Sequence, residues 1–451
     1  MKMLSSMLWF APSGAACASV ANKELSVTSL GAIGDGRSHP VSEWIPARYP
    51  DLAAIRVDYP DVRTLEDEID FAAINKAVRV AATRGAVVVL PAGTYLAWIY
   101  VRSGGVTVKG AGSDVCRLKL PPRARHLLTA EDGRPLAGTP CVVEVGDIGA
   151  GHRAPPLSGF TLSGVTLDGN RSATRAPRTT REDVFGWGLA FTNFSNARYT
   201  DVVAVECHAG GIGTFITSRA HVGEARVESC GGALGHPGFD VNSSQDGRWQ
   251  ITVDDCPYGV RLLDNCWNCN VEARINRAAL AGLVCDNQRT NQSHSSTVTA
   301  DIRGGCRNAG AQIGDGWSQS AFRLDVSDVA GIGVSSIGPG PGMRGESDNR
   351  FVVTTARCGG QSALIGGSRG TWRISSTDDA VGQPKGALFA IDVLGSGNIL
   401  DIGVVVTVAR RLRGLVFRPG ARKNRAIFRA RGELLESIND QGWGNSADAV
   451  G

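Results

Sequence analysis

The chain has 451 residues, including 58 Gly and only 4 Met, and its formal net charge at pH 7 is +4. This small charge, without a long Lys/Arg run or a stripe of basic and aromatic residues, argues against nucleic acid as a partner. No stretch reaches the ~18 to 20 apolar residues of a membrane span. The composition therefore predicts a soluble, strand-rich protein with neither nucleic acid nor membrane as a partner.

The N-terminus has the pattern of an export signal. A short apolar run from Met1 to Phe10 is followed by small residues through Ala21, with cleavage expected after Ala18 or Ala21. We expect residues 1–21 to be a signal peptide and the mature protein to be secreted or periplasmic.

Three Gly-containing signatures then bracket one amphipathic helix. The signatures are Gly31-Ala-Ile-Gly-Asp-Gly36, Leu90-Pro-Ala-Gly-Thr-Tyr95 and Val106-Thr-Val-Lys-Gly-Ala-Gly112. The helix is predicted from the spacing of Phe71, Ile74, Val78 and Ala81. Either Asp67 or Asp70 could cap its start, and Gly85 would end it.

This order of a Gly-rich turn, a helix and two strands resembles the N-terminal segment of the pectate lyase superfamily, whose members are right-handed parallel β-helices. The resemblance implies an all-β solenoid with an N-terminal capping helix. Residues 22–120 would form the cap and first coils, 121–430 the body of the parallel β-helix, and 431–451 a C-terminal tail or cap.

A loose internal repeat supports this expectation. Units that open at Gly188, Gly211, Gly238, Gly259 and Gly282 begin 23, 27, 21 and 23 residues apart. Each Gly precedes apolar residues one and three positions later, which is strand alternation. A period in the low twenties fits one coil of a parallel β-helix, and it is half the ~40 to 50 residues of a β-propeller blade.

The cysteines follow the same repeat. Cys207, Cys230 and Cys256 end the second strand of successive units, which predicts an inward ladder of small buried side chains. Because 11 is an odd count, a disulfide framework is not favoured. The pair Cys266 and Cys269 has redox or metal-site spacing but no second Cys or His pair, so we expect neither chemistry there.

Four aspartates are candidate catalytic residues: Asp240, Asp264, Asp286 and Asp315. The last three each precede a turn-forming residue near the end of a unit's first strand, so they would share one column of the solenoid. Neighbouring carboxyls in a column would serve as the acid and base of a glycosidase. Counting from the opening glycines gives another register, in which Asp240 shares an outward column with Arg261, and Asn242 shares one with Asp286. The alternative is that these aspartates only form turns.

Further residues near this cluster would bind the substrate: His236, Asn242, Arg261, Trp267, Arg289 and Trp317. The two tryptophans follow Asp-containing turns and offer flat faces for sugar rings, while His236 would carry protons at the rim. No Lys occurs between Lys119 and Lys385, whereas Arg is abundant there. Since guanidinium matches carboxylate, the body could hold an acidic polysaccharide; the alternative is a codon usage that favours Arg.

The resemblance does not supply catalytic residues. The polygalacturonase branch, family 28 of the glycoside hydrolases, carries Asn-Thr-Asp, Asp-Asp, Gly-His-Gly and Arg-x-Lys. In this chain Pro237 stands where the catalytic aspartate is expected, and neither Gly-His-Gly nor Arg-x-Lys follows Asp254 and Asp255. Polygalacturonase activity is therefore disfavoured.

We expect a secreted enzyme that hydrolyses an acidic polysaccharide with an aspartate acid/base pair and without a cofactor. One alternative is a polysaccharide lyase or C5-epimerase, in which Arg261, His236 or Tyr258 would be the base and the aspartates would hold Ca²⁺. Another alternative is a non-catalytic, glycan-binding or tailspike-like β-helix. The sequence leaves open whether the protein is a monomer or a homotrimer.

Overall fold

The structure, a computed structural model, describes residues 23–124, 126–129, 135–174, 186–232, 235–287, 291–314, 316–336, 348–379, 389–407 and 412–450. Strands from successive coils pair in parallel with one another, so the chain winds into the predicted solenoid. The expected signal peptide lies outside the described residues. In the part that is described, no helix is long and apolar enough to cross a membrane.

Two long sheets and one short sheet form the walls of the solenoid. Sheet A contains Glu24–Ser26, Val87–Leu90, Gly93–Leu96, Val106–Gly110, Cys116–Lys119, Leu157–Asp168, Val222–Glu228, Arg248–Asp254, Asn270–Ala278, Thr297–Gly305, Ala321–Ser327, Arg350–Ala356, Thr371–Thr377, Ile399–Val405, Arg425–Arg431 and Ser446–Val450. Sheet B contains Ile99–Val101, Val143–Val145, Ile212–Arg219, Pro237–Asn242, Tyr258–Leu263, Ala281–Asp286, Ala309–Ile313, Ile332–Ser336, Ala363–Ile365, Phe389–Val393, Leu412–Phe417 and Leu434–Asp440. The strand Leu189–Val205 begins in sheet B and continues into sheet A. Sheet C contains Ser244–Gln245, Ser293–His294 and Trp317–Ser318.

The remaining elements lie near the N-terminus. The α-helices are Leu52–Asp58 and Ile69–Arg84, and the 3-10 helices are Val27–Leu30, Val41–Trp44 and Gly151–Arg153. A short antiparallel hairpin pairs His126–Thr129 with Pro135–Gly138.

The helix Ile69–Arg84 packs on the first coils and is the predicted cap. Its predicted end is confirmed, because Gly85 adopts a left-handed φ of 66° and donates its N–H to Ala81. Its predicted start is wrong: Glu68 occupies the N-cap, and no side chain caps the helix. Asp67 instead accepts hydrogen bonds from the backbone of the preceding turn.

Asp70, the other proposed capping residue, links the N-terminal signatures. Its buried carboxylate accepts backbone hydrogen bonds from Ile33 at 2.6 Å, Gly34 at 3.2 Å and Leu96 at 3.0 Å. A buried carboxylate is tolerated when several donors satisfy it. This one ties the Gly-rich turn and the Pro-Ala-Gly-Thr-Tyr strand to the helix.

The opening glycines lie at the corner where sheet A passes into sheet B. A Cβ on Gly211 would stand 2.3 Å from Val227, and one on Gly259 would stand 2.4 Å from the carbonyl oxygen of Gly282 in the next coil. Only glycine fits such an approach of neighbouring coils. The residues after these glycines pair in register, so the predicted units are the coils.

Apolar side chains fill the interior in stacked columns. All ten cysteines that the structure describes are buried free thiols, which agrees with the predicted inward ladder. Farther along, Phe351 stacks between Phe322 and Trp372, with ring centroids 5.0 and 3.7 Å apart.

A polar ladder that the sequence did not predict precedes the strands of sheet A. The Oγ of Ser296 accepts the N–H of Cys269, the Oγ of Ser320 accepts that of Ser296, and Asn349 accepts that of Ser320. The ladder continues through Asn398, Asn424 and Asn445. Each side chain bridges one coil to the next and satisfies a buried backbone donor.

Parallel pairing continues beyond residue 430. The strand Leu434–Asp440 pairs with Leu412–Phe417, and Ser446–Val450 pairs with Arg425–Arg431. The segment that was expected to be a tail or cap therefore contributes a last coil.

Candidate functional site

The outward columns of sheet B follow the register counted from the opening glycines. Asp240 pairs with Arg261 in the next coil, and Leu263 lies between Asn242 and Asp286. The other register is wrong, because Asp264 lies one residue beyond the partner of Asp286. Asp264 and its neighbour turn the chain out of the strand with φ values of 47° and 50°.

Asp240 and Arg261 form a bidentate ion pair across adjacent coils. Nε of Arg261 donates to Oδ1 at 3.0 Å, and Nη2 donates to Oδ2 at 2.6 Å. The Asp240 side chain is 3% exposed and that of Arg261 is 29% exposed. Both carboxylate oxygens are thus occupied, so Asp240 orients Arg261 rather than presenting a free acid or base.

A second carboxyl pair lies at the end of the sheet B strands. The backbone N–H of Asp264 donates to the carbonyl of Asp286 at 3.2 Å, which places the two residues in neighbouring coils. Asp264 is buried, whereas Asp286 is accessible to solvent. The protein atoms around Asp286 raise the pKa of its carboxyl, and the charge of Asp264 raises it further; the Asn287 N–H and Arg261 oppose this rise.

The outer face of sheet B is covered on the N-terminal side of this site. Trp187 lies against Gly213, which precedes Asp240 in the same outward column. Its ring meets that of His236 edge-on at a centroid distance of 5.8 Å. The accessible part of the face therefore begins at Arg261, and the half-buried His236 lies beside the aromatic cover rather than next to Asp286.

The two candidate tryptophans face opposite ways. Trp267 pairs with His294 in sheet C, is 37% exposed and stacks on that ring at 5.3 Å. Trp317 pairs with Ser293, one residue earlier, and is fully buried. Because neighbouring positions in a strand point to opposite faces, the predicted sugar-stacking role of Trp317 is wrong. His294 was missed, although it occupies the same position in its coil as Trp267.

Two further candidates, Asp315 and Arg289, lie outside the described residues. Asn242 is half-buried and accepts a hydrogen bond from Ser243 at 3.0 Å. Among the described residues, no three His, Cys, Asp or Glu side chains converge as metal ligands. With Asp240 engaged by Arg261, the described part of the chain does not fit the Ca²⁺ site that a lyase was expected to use.

Comparisons with known proteins bear on the fold. No protein-family model matches the chain, and no curated protein matches its sequence. The mannuronan C-5 epimerase AlgE4 A-module of Azotobacter vinelandii is similar in structure, with a TM-score of 0.54, 15% identity, and coverage of 94% of this chain and 100% of that chain. The N-terminal fragment of bacteriophage Phi29 gene product 12 has a TM-score of 0.53 at 13% identity, and covers 94% of this chain and 71% of its own. The Streptococcus pneumoniae surface adhesin PfbA has a TM-score of 0.51 at 14% identity, with coverage of 94% and 93%.

The chain is a right-handed parallel β-helix. The fold that the resemblance to the pectate lyase superfamily implied is thus the observed one. The chemistry depends on the side chains that this β-helix presents. On the open part of sheet B these include the guanidinium of Arg261 and the carboxyl of Asp286, and the buried Asp264 lies just beyond the end of the strand that carries Arg261. The exposed ring of Trp267 follows directly around the corner into sheet C. A cation, two carboxyls and an aromatic ring thus lie in neighbouring coils.

Proposed function

We propose that this β-helix hydrolyses an acidic polysaccharide that lies along the open outer face of sheet B. The observation that supports this most directly is the environment of the Asp286 carboxyl. The residue is accessible, its carboxyl has a raised pKa, and a second carboxyl, that of Asp264, lies in the adjacent coil. A carboxyl that keeps its proton to higher pH is suited to protonate the leaving oxygen of a glycosidic bond.

Asp286 would be the general acid and Asp264 the base or nucleophile. Adjacent coils are about 4.8 Å apart, and the offset of one residue adds to this separation. The two carboxyls would then fall within the ~5 to 9.5 Å that retaining and inverting glycosidases use.

Arg261 would select an acidic substrate. Asp240 occupies the Nε and Nη2 donors of its guanidinium, which leaves Nη1 to meet a sugar carboxylate at the surface. Trp267 would stack on a neighbouring sugar ring. The similarity to a β-helix named as a mannuronan epimerase supports a polysaccharide as the class of substrate.

Proton abstraction is the second candidate, as in a lyase or C5-epimerase. It is favoured by the position of Tyr258, which lies on the same strand as Arg261 and interacts with its charge. In this chemistry Arg261 would neutralise a substrate carboxylate while Tyr258 removes the neighbouring proton. Asp286 would then not be required for the reaction.

The experiment is digestion of a panel of acidic and neutral polysaccharides by the full chain, with reducing ends and ultraviolet absorbance of unsaturated ends followed together. Hydrolysis by the proposed pair gives reducing ends only, and Asp286→Asn and Asp264→Asn lose turnover while they still bind the substrate. Asp301→Asn is the matched control, because Asp301 faces outward on sheet A and pairs with Arg303. Unsaturated ends, or wild-type turnover in Asp286→Asn, would contradict the proposal.

A further inference from the structure

A cavity of about 600 Å³ opens at the corner between sheets A and B. It lies at the start of the sheet B strands, whereas Asp264 and Asp286 lie at their ends. Its lining includes Arg171, His208, Asp255, Pro257, Arg277 and Ala279. None of these residues has a part in the hydrolysis proposed above.

Two guanidiniums reach this cavity from different coils. Arg277 is held by Asp255 through two hydrogen bonds of 2.8 Å, and Arg171 pairs with Glu206 at 3.2 Å. The sheet register places the coil of Arg171 four coils before that of Arg277. At about 4.8 Å per coil, the two backbones are roughly 19 Å apart along the axis. Arg171 reaches one coil forward to Glu206 and Arg277 one coil back to Asp255, so the guanidiniums lie about two coils, or roughly 10 Å, apart. The cavity between them can follow a short segment of an extended ligand.

His208 supplies an acceptor between the two arginines. It is 6% exposed, and its Nε2 lies 3.2 Å from the carbonyl oxygen of Thr174. A carbonyl only accepts, so Nε2 carries the proton, and burial lowers the pKa of this imidazole, which keeps it neutral. Nδ1 then offers a lone pair and has no hydrogen-bond partner among the described residues.

The Arg277–Asp255 pair alone would not indicate a ligand. Arg357 and Asp328 form a pair of the same geometry, with two hydrogen bonds of 2.6 Å, and Arg357 has a φ of 54° against 53° for Arg277. That pair does not line the cavity. The second guanidinium, the acceptor on His208 and the apolar surfaces of Pro257 and Ala279 distinguish this corner.

We propose that the cavity is a subsite for a segment of an acidic glycan, with sugar carboxylates at Arg171 and Arg277 and a sugar hydroxyl donating to Nδ1 of His208. The apolar surfaces of Pro257 and Ala279 would contact the sugar rings. This inference rests on the proposed function for the acidic nature of the glycan, and it requires nothing of Asp264 or Asp286.

The test is calorimetric titration of the full chain with tetrasaccharides of galacturonate and of mannuronate, and with their carboxyl-reduced neutral forms. Arg171→Gln and Arg277→Gln are each expected to weaken binding of an acidic tetrasaccharide roughly tenfold or more, since each removes a charged hydrogen-bond donor. Arg357→Gln is the matched control and should bind as the wild type does. Arg277 and Arg357 are exposed and Arg171 is half-buried, so the substitutions should leave the fold intact, which thermal unfolding checks.

The subsite is overturned if the wild type binds no acidic tetrasaccharide, if the neutral forms bind equally well, or if both arginine variants bind normally. Its failure is distinguishable from failure of the proposed hydrolysis. Asp286→Asn should lose turnover and still bind the tetrasaccharide with wild-type affinity. An inactive wild type that binds through Arg171 and Arg277 would refute hydrolysis and leave the subsite established.

Discussion

Asp240 forms a bidentate ion pair with Arg261 of the next coil. Its two carboxylate oxygens accept hydrogen bonds of 3.0 and 2.6 Å from two nitrogens of the guanidinium. The aspartate is almost wholly withdrawn from water, and the arginine is about two-thirds withdrawn. A buried carboxylate without its cation would be costly, and so would the cation without its carboxylate. The pair therefore fixes one donor-rich edge of Arg261 and directs the remaining edge toward the open face.

Replacing Asp240 should lower the stability of the protein. Asp240→Asn leaves a largely buried guanidinium without its counter-charge, and we expect a loss of about 3 kcal/mol in the free energy of unfolding. Urea unfolding measures this. Asp301→Asn, in an exposed pair with Arg303, should cost less than about 1 kcal/mol. Equal stability of the two variants would show that the Asp240–Arg261 pair is not a stabilising unit.

The pKa of Asp286 should depend on its neighbour in the adjacent coil. The protein atoms around the Asp286 carboxyl raise its pKa first and the charge of Asp264 adds to the rise, so Asp264→Asn should lower the pKa of Asp286 toward its ordinary value. Carboxyl-carbon NMR of the labelled aspartate reports the change. In the wild type the acid-catalysed rate should fall as pH rises through this pKa, because the proton donor is lost. An unchanged pKa in Asp264→Asn would mean that the two carboxyls do not interact.

His221 should make the solenoid less stable in mild acid. It is fully buried against Phe191, and burial lowers its pKa to about 4. The unfolded chain, with a histidine pKa of about 6.5, binds more protons between these values, so stability is complete above pH 6.5 and falls as the pH falls. The pKa difference is equivalent to roughly 3 kcal/mol in the free energy of unfolding, and about 2 kcal/mol of this should be lost by pH 5.

Chemical unfolding of the wild type at pH 7 and pH 5 measures this loss. His221→Phe should flatten the pH dependence, whereas a substitution at the exposed His152 should leave it in place. A wild type that is equally stable at both pH values would contradict the assignment.

The sequence predicts the coils because their corners impose a chemical requirement. At Gly211 and Gly259 neighbouring coils approach so closely that a Cβ is excluded, and counting from these residues gives the correct partners for Asp240. Counting from the Asp-containing turns fails because the corner after sheet B varies in length. Because of a shift of one residue, Leu263 and not Asp264 pairs with Asp286. A similar shift in sheet C makes Trp317 point to the face opposite to that of Trp267.

Other parts of the site are not encoded by a local pattern. The ladder that contains Ser296 and Ser320 corresponds in the sequence to a polar residue just before each strand of sheet A. Cys269 and Gly370 occupy this position in their coils, so the sequence pattern is broken there. The cavity between Arg171 and Arg277 is assembled from successive coils whose lengths differ, so its members share no fixed spacing. Only the three-dimensional register brings them together.

The corner glycines should tolerate no side chain. Gly211→Ala places a methyl group 2.3 Å from Val227, and such overpacking should cost about 2 kcal/mol or more. Gly403→Ala is the control, because the nearest atom to its new Cβ lies 4.0 Å away and its φ is not left-handed. Thermal unfolding distinguishes the two. If Gly211→Ala were as stable as Gly403→Ala, close approach would not explain the repeated glycine.

Substitution of Trp267 and Trp317 should separate recognition from folding. Trp267→Ala removes an exposed ring that stacks on His294, so it should weaken polysaccharide binding while the unfolding temperature changes little. Trp317→Ala removes a fully buried ring that packs against Phe322, and it should cost about 3 to 5 kcal/mol of stability. Affinity electrophoresis in a polysaccharide gel, combined with thermal unfolding, measures both effects. If Trp267→Ala bound normally, polymer would not contact sheet C, and the substrate path would be confined to the face of sheet B that carries Arg261.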